Sequence, residues 1–263
     1  MSAGQFGEGS NGTPVQPVPQ QRIREKLDEY MSRRDYAGAE RLLLYWLREA
    51  HVGGDQRGEL MVENELIGHY RKTGNREGAL EAIEGALNLL ALLEFGDTIS
   101  AGTTYVNAAT ALNAFGENER ALSLFEQARA IYEDNAAESR LLGGLYNNMA
   151  LTCASLGRFE DAVTLYDKAM VQMGRASCGE LEQAITCLNR ANLIEARDGM
   201  EAGEKAIFDL LDQASDLLRG SCFPRDGYYA FVCEKCAPTF EYYGYFAEAE
   251  HLRQEASDIY ERS

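Results

Sequence analysis

The sequence predicts an all-α fold, a solenoid of about six antiparallel helix pairs. Three observations carry that prediction. An apolar helix, a tight turn and a second apolar helix recur along the chain. An alanine opens the second helix of five units, at Ala39, Ala79, Ala121, Ala162 and Ala249, so the first intervals are 40, 42 and 41 residues. The last interval, 87 residues, leaves room for one irregular unit. Finally, only 5 prolines occur, three of them (Pro14, Pro17, Pro19) ahead of Gln20, and the remainder is rich in the helix formers Ala, Leu and Glu.

Residues 1–19 are rich in Gly, Ser, Pro and Gln and lack hydrophobic periodicity, so they read as a disordered N-terminal tail. The PxxP spacing from Pro14 to Pro17 reads as part of that tail. The solenoid occupies 20–263, with units near 20–53, 60–93, 102–135, 143–176, 184–219 and 230–263. The first unit has Arg34 where later units have a turn glycine, and reads as a cap. In the others, Gly74, Gly116, Gly157 and Gly244 stand five residues before the alanine, where a left-handed conformation ends one helix and starts the turn. Seven residues after the alanine come Ala86, Ala128, Ala169 and Ala256, where two helices approach closely, with Trp46 in the first unit. Larger groups recur between, at Leu43, Ile83, Phe125 and Tyr166.

In the first helices the apolar stripes run Tyr105, Ala108, Ala109, Leu112 and Tyr146, Met149, Ala150, Cys153. Offsets of three, four and seven mark one helical face. The fifth unit lacks the usual turn. Its Arg197-Asp198-Gly199-Met200 is followed by about four extra residues before Leu211 and Ala214 resume the pattern. In the sixth, Pro238 should kink or shorten the first helix.

At these residues the chain resembles the tetratricopeptide repeat family. Gly157-Arg158-Phe159-Glu160-Asp161-Ala162 and Gly244-Tyr245-Phe246-Ala247-Glu248-Ala249 carry the family's turn, and the resemblance covers about residues 20–263. The period exceeds the usual one of roughly 34 residues. It is similar to the extended variety, of about 42 residues, in kinesin light chains and in peptide-sensing regulators of Gram-positive bacteria. The resemblance implies a right-handed superhelix whose first helices line a concave groove, and a binding scaffold rather than an enzyme.

Acidic residues outnumber basic ones by 42 to 25, a formal net charge of -17. Such a field repels phosphate backbones and anionic lipid, so nucleic acid and membranes are excluded as partners and a basic or neutral protein is favoured. The N-terminus has no basic region followed by an apolar run, so no secretory signal is read. The most apolar stretch, 86–95, is about half a membrane span. Six cysteines without framework spacing fit reduced thiols in a cytoplasmic protein.

No catalytic constellation stands out. His51, His69 and His251 are scattered, and no phosphate-cradling loop is present. Cys233 and Cys236 form a CxxC, with Cys222 upstream and His251 downstream, so a metal- or thiol-dependent protein is one alternative reading. However, Cys233 falls in the column of Tyr105 and Tyr146, and Cys236 in that of Ala108 and Met149. Both therefore read as core, as do Cys153 and Cys187. Cys178, between repeats, reads as the most exposed thiol. No cofactor is expected. The aromatic cluster Tyr228, Tyr229, Phe231, Phe240, Tyr242, Tyr243, Tyr245 and Phe246 reads as the cover of the last hydrophobic face.

The informative column is polar. Asn107 follows Tyr105 by two residues, Asn148 follows Tyr146 by two, and Asn189 lies one period on. Two steps along a helix turn a side chain about 200°, away from the core stripe. Thr103, Thr110, Asn113, Asn147 and Asn192 share that face, with Asn64, Arg71 and Lys72 in the second unit. A carboxamide carries one acceptor and two donors without net charge, so a ladder of them can pair with the backbone of an extended peptide. The resemblance implies the same use of asparagine. The family's clamp for a C-terminal carboxylate is not matched, because Val106 and Glu234 stand at its places. The other alternative is a peptide-responsive regulator acting on a separate effector chain. Only the short tail precedes the repeats, so an effector module is not expected within this chain.

Overall fold

A computed structural model describes residues 15–262, and among these the chain forms twelve α-helices and no strand. They pair as α1 (Gln20–Ser32) with α2 (Tyr36–Val52), α3 (Gln56–Thr73) with α4 (Arg76–Leu92), and α5 (Ile99–Ala114) with α6 (Asn118–Asp134). Then come α7 (Ser139–Ser155) with α8 (Phe159–Arg175), α9 (Glu180–Asp198) with α10 (Met200–Leu218), and α11 (Gly227–Tyr242) with α12 (Phe246–Arg262). The chain divides into two compact units, one through Ile131 and one from Tyr132. Within each, helices pack on their pair partners, as α3 on α4, α7 on α8 and α11 on α12. First helices of successive pairs pack side by side, as α3 on α5, α7 on α9 and α9 on α11.

The alanine columns are close-approach sites. Ala39, Ala79, Ala86, Ala121, Ala128, Ala162 and Ala169 are wholly buried, with Leu43, Ile83, Phe125 and Tyr166 filling the space between. A larger side chain in those alanine columns would push the two helices of a pair apart.

Apart from the fifth pair, the turns within pairs share one hydrogen-bond pattern. The amide after the left-handed residue reaches back to a carbonyl five residues earlier: Asn75 to Tyr70 (3.0 Å), Glu117 to Leu112 (2.9 Å), Arg158 to Cys153 (2.8 Å) and Tyr245 to Phe240 (2.8 Å). The glycines take φ of 74°, 79°, 72° and 84° at Gly74, Gly116, Gly157 and Gly244. Arg34 holds the same place at φ 55°, so the first turn has the same geometry on a less suited residue. A second left-handed series joins one pair to the next: Gly54, Glu94, Ala136 and Cys178 at φ 66°, 53°, 47° and 52°. Three of its four members are not glycine, and their sequence carries no signal for it.

Three helix starts repeat a cap. The carboxylates of Asp35 and Asp55 and the amide oxygen of Asn75 accept from the backbone N–H of Gly38, Gly58 and Gly78, three residues on. A Cβ at those glycines would come within 2.4, 2.3 and 2.8 Å of the capping side chain. Asp55 does more than cap, because its Oδ2 also accepts from Val18 N–H at 2.8 Å. Gln16 N–H donates to Gly53 O at 3.0 Å, and Val18 is buried. Residues 15–19, grouped by composition with the tail, are thus pinned to the α2–α3 turn. The start of the PxxP spacing, Pro14, lies outside the described residues.

The irregular fifth pair spends its extra residues on helix rather than loop. Helices α9 and α10 have 19 residues each, and Gly199 (φ 82°, ψ 160°) joins them by itself. Pro238 does not shorten α11, which keeps 16 residues, as many as α5. The proline costs one backbone bond, but the apolar packing of Cys233, Cys236, Ala237 and Phe240 holds the helix together around it.

Candidate binding surface

The polar faces of the first helices meet in two clusters of the same design, one in each unit. In the first, Asn107 of α5 donates from Nδ2 to Oδ1 of Asn64 on α3 at 3.0 Å. Asn64 donates in turn to Thr104 Oγ1 (3.0 Å) and to the Leu60 carbonyl (2.9 Å). In the second, Asn189 of α9 donates to Oδ1 of Asn147 on α7 at 3.2 Å, and the Thr186 hydroxyl donates to the same oxygen at 3.2 Å. Each cluster is a threonine and an asparagine three residues apart on one helix, held to an asparagine of the preceding first helix.

The physical basis is satisfaction of half-buried amides. Asn64 spends both donors and its acceptor within the protein, and Asn147 is 9% exposed. Asn107 and Asn189 each give one N–H to the cluster, leaving a carbonyl and a second N–H for another partner. Asn64 and Asn147 therefore act as struts, and Asn107 and Asn189 as strut and free edge together.

A cleft of about 600 Å³ opens beside the first cluster. Asn64, Thr103, Thr104 and Asn107 line it, and Arg24, Arg57, Glu65 and Phe95 complete it. Arg24 pairs with Glu65 at 3.6 Å, and the Arg57 guanidinium lies 4.8 Å over the Phe95 ring. Burial pushes the Glu65 carboxyl above its usual range, with Arg24 opposing. Despite the acidity of the whole chain, this cleft carries two cations and one anion.

The other residues singled out from the sequence scatter more widely. Thr110 bonds back to the Val106 carbonyl at 2.7 Å, and Asn113 donates to Asn118 across the α5–α6 turn. Asn148 is half-buried. Asn192 accepts from the Tyr243 hydroxyl at 3.2 Å. Arg71 and Lys72 are exposed at the end of α3, with the Lys72 ammonium 5.7 Å from the Tyr36 ring.

The second unit has a more apolar cleft of about 540 Å³, lined by Met173, Leu181, Phe223, Arg140, Glu182 and Tyr228 among others. None of the asparagines lines it. Arg140 pairs with Glu182 Oε1, which also accepts from the Tyr228 hydroxyl at 3.1 Å. Sequence patterning missed this cleft because its polar members come from three different helices.

The cysteines divide sharply. Cys153, Cys187, Cys233 and Cys236 are buried, and burial pushes the Cys233 and Cys236 thiols up to about 11 and 12. Protonated, enclosed thiols are poor metal ligands and nucleophiles. Cys222 does not join the CxxC. Its thiol faces Glu180 at 3.0 Å. It, rather than half-buried Cys178, is the exposed thiol, because the next residue, Phe223, takes the buried place in that loop. The aromatic cluster is split too: Tyr229, Phe240 and Tyr243 are core, whereas Tyr228, Phe231, Tyr242 and Phe246 are 47–69% exposed.

Comparison with known proteins agrees with this architecture. Family models described as tetratricopeptide repeat match residues 59–134 and 144–170. The chain carries tetratricopeptide repeats over those residues. Among solved structures it resembles the nearly identical tetratricopeptide-like repeats attributed to a kinesin light chain of Podosopora anserina. That match has 18% identity and a TM-score of 0.53, over 76% of this chain and 94% of that one. A point variant of the same protein gives 18% identity and 0.54, over 78% and 97%. BtubC (BKLC) from P. vanneervenii gives 18% identity and 0.51, over 92% and 91%. At such identity the likeness concerns the fold of these repeats alone. No curated protein sequence matches the chain. Repeats of this family act as protein-interaction scaffolds, and no helix among the described residues is long and apolar enough to cross a membrane.

Proposed function

We propose that this repeat scaffold binds an extended segment of a partner protein, read mainly through its backbone, along the polar face of the first helices. The observation that carries the proposal is the recurrence of the Asn–Thr–Asn cluster, each copy leaving one half-used amide at Asn107 and Asn189. An amide held by a neighbour is preorganised, so little rotamer entropy remains to be lost on binding. Asn148 supplies a further amide in the second unit. In the first unit, Thr103 and the paired charges of Arg24 and Glu65 frame the segment. Their near balance favours a neutral stretch of peptide over a strongly basic one. The scaffold acts in the cytoplasm and catalyses no reaction on its partner.

The test is selection of binding peptides from a displayed random library, followed by calorimetric titration. Asn107/Asn148/Asn189→Ala should bind a selected peptide about 5- to 100-fold more weakly, at about 0.5–1.5 kcal/mol per lost hydrogen bond with incomplete additivity. Undiminished binding by a folded triple variant would sink the asparagine reading and move attention to the apolar cleft of the second unit.

A further inference from the structure

Two loops of the second unit bring a pair of cysteines together from positions 44 residues apart in sequence. Cys178 lies in the α8–α9 turn and Cys222 in the α10–α11 loop. The Cys178 sulfur sits 2.7 Å from the Cys222 carbonyl oxygen, so the two side chains are neighbours. Both loops are anchored. Arg140 donates to the carbonyls of Ser177 (2.7 Å) and Cys178 (3.3 Å). Phe223 is buried and stacks on Tyr229 with ring centres 5.6 Å apart. Arg225 lies 4.0 Å over that tyrosine and bonds the Leu218 and Gly220 carbonyls. Anchored loops thus hold the two cysteines side by side, with Cys222 open to solvent. The other four cysteines are enclosed.

We propose that Cys178 and Cys222 form a reversible intramolecular disulfide by exchange with small-molecule disulfides such as oxidised glutathione. The exposed Cys222 thiol loses its proton to solvent and attacks one sulfur of the oxidant, releasing one small thiol and leaving a mixed disulfide on Cys222. Cys178, deprotonated in turn, attacks the Cys222 sulfur and releases the second small thiol. Two protein thiols are oxidised, one disulfide reagent is reduced to two thiols, and no further reactant is required. The bond clips the α8–α9 turn to the α10–α11 loop. Cys178 and Phe223 both line the apolar cleft of this unit, so the clip also fixes the mouth of that cleft. The hydrogen bond from Cys222 to Glu180 holds the Cys222 thiol well above its usual range, which keeps the pair reduced until oxidant accumulates or pH rises.

The experiment treats the full reduced chain with oxidised glutathione, blocks remaining thiols with N-ethylmaleimide under denaturing conditions, and maps peptides without reduction. The expected result is a Cys178–Cys222 cross-link, with four of the six cysteines alkylated. Closing a loop of this length should raise Tm by roughly 5–10 °C, reversed by dithiothreitol. Glu180→Gln should speed cross-linking several-fold. Cys178→Ser should stop at a glutathione adduct on Cys222 with no rise in Tm. Two separate glutathione adducts on the wild type, or a bond between chains, would overturn the proposal. So would a cross-link to any buried cysteine. The wild-type map decides even if a serine variant folds poorly.

Discussion

At the scale of single residues, a few backbone and ionisation sites set the stability of the array. Gly116 and Gly157 hold left-handed turns closed by a backbone bond. Valine at either should cost about 1–3 kcal/mol, since a branched side chain resists that conformation. Thermal unfolding of each variant checks it, and an unchanged Tm would mean the turn relaxes without loss. Arg34 gives the converse case: Arg34→Gly should stabilise by about 0.5–1 kcal/mol, the relief of left-handed strain less the added freedom of the unfolded chain. Glu63 is buried on α3, where its carboxyl occupies the space that a side chain at Gly85 would need. Burial, with Glu59 adding to it, pushes its pKa from the ordinary 4.5 up to about 7. The folded state therefore binds this proton more tightly than the unfolded chain. Its contribution is fully present below pH 4.5 and is lost as pH rises through 7, by about 3 kcal/mol at most. Urea unfolding of Glu63→Gln at pH 5 and pH 8 should show that slope flattened, with a gain mainly at pH 8.

At the scale of elements, the same side chains join one helix to the next. Asp55 caps α3 and also holds Val18, so Asp55→Ala removes a cap and strands a buried N–H. A loss of about 2–3 kcal/mol is expected, measured by denaturant melts, with proteolysis at residues 15–19 as the local readout. The asparagines of the first helices follow the same logic. Read from sequence as exposed groups free for a ligand, Asn107 and Asn189 are half-buried and bonded to the preceding helix. Alanine at each should cost about 0.5–1.5 kcal/mol even without ligand. The column was legible because amides recur two residues after Tyr105 and Tyr146. Their tethering was not, since Asn64 and Thr104 lie 40 residues apart and one is not in register with the other's column.

At the scale of the whole molecule, a repeat array answers to its nearest neighbours. Asp55→Ala should raise amide exchange in α1 to α3 while leaving α9 to α12 protected. Native-state hydrogen exchange resolved by helix is the measurement, and equal loss of protection everywhere would show one cooperative block instead. The pairing of helices was legible throughout, because the alanine and glycine columns repeat at the period of the structure. By itself the sequence determined that the chain is helical, that its units are pairs, and where the buried alanine columns fall, since each of these depends on the spacing of residues within one repeat. Tertiary structure alone decided the rest. Glu94, Ala136 and Cys178 take a left-handed turn that their own preferences resist, because packing of the flanking helices outweighs about 1–2 kcal/mol of local strain. Asn64 and Asn147 became struts, and Cys178 and Cys222 came together from two separate loops. Those relations join one repeat to the next, and side chains brought together by packing leave no period in the sequence to be read.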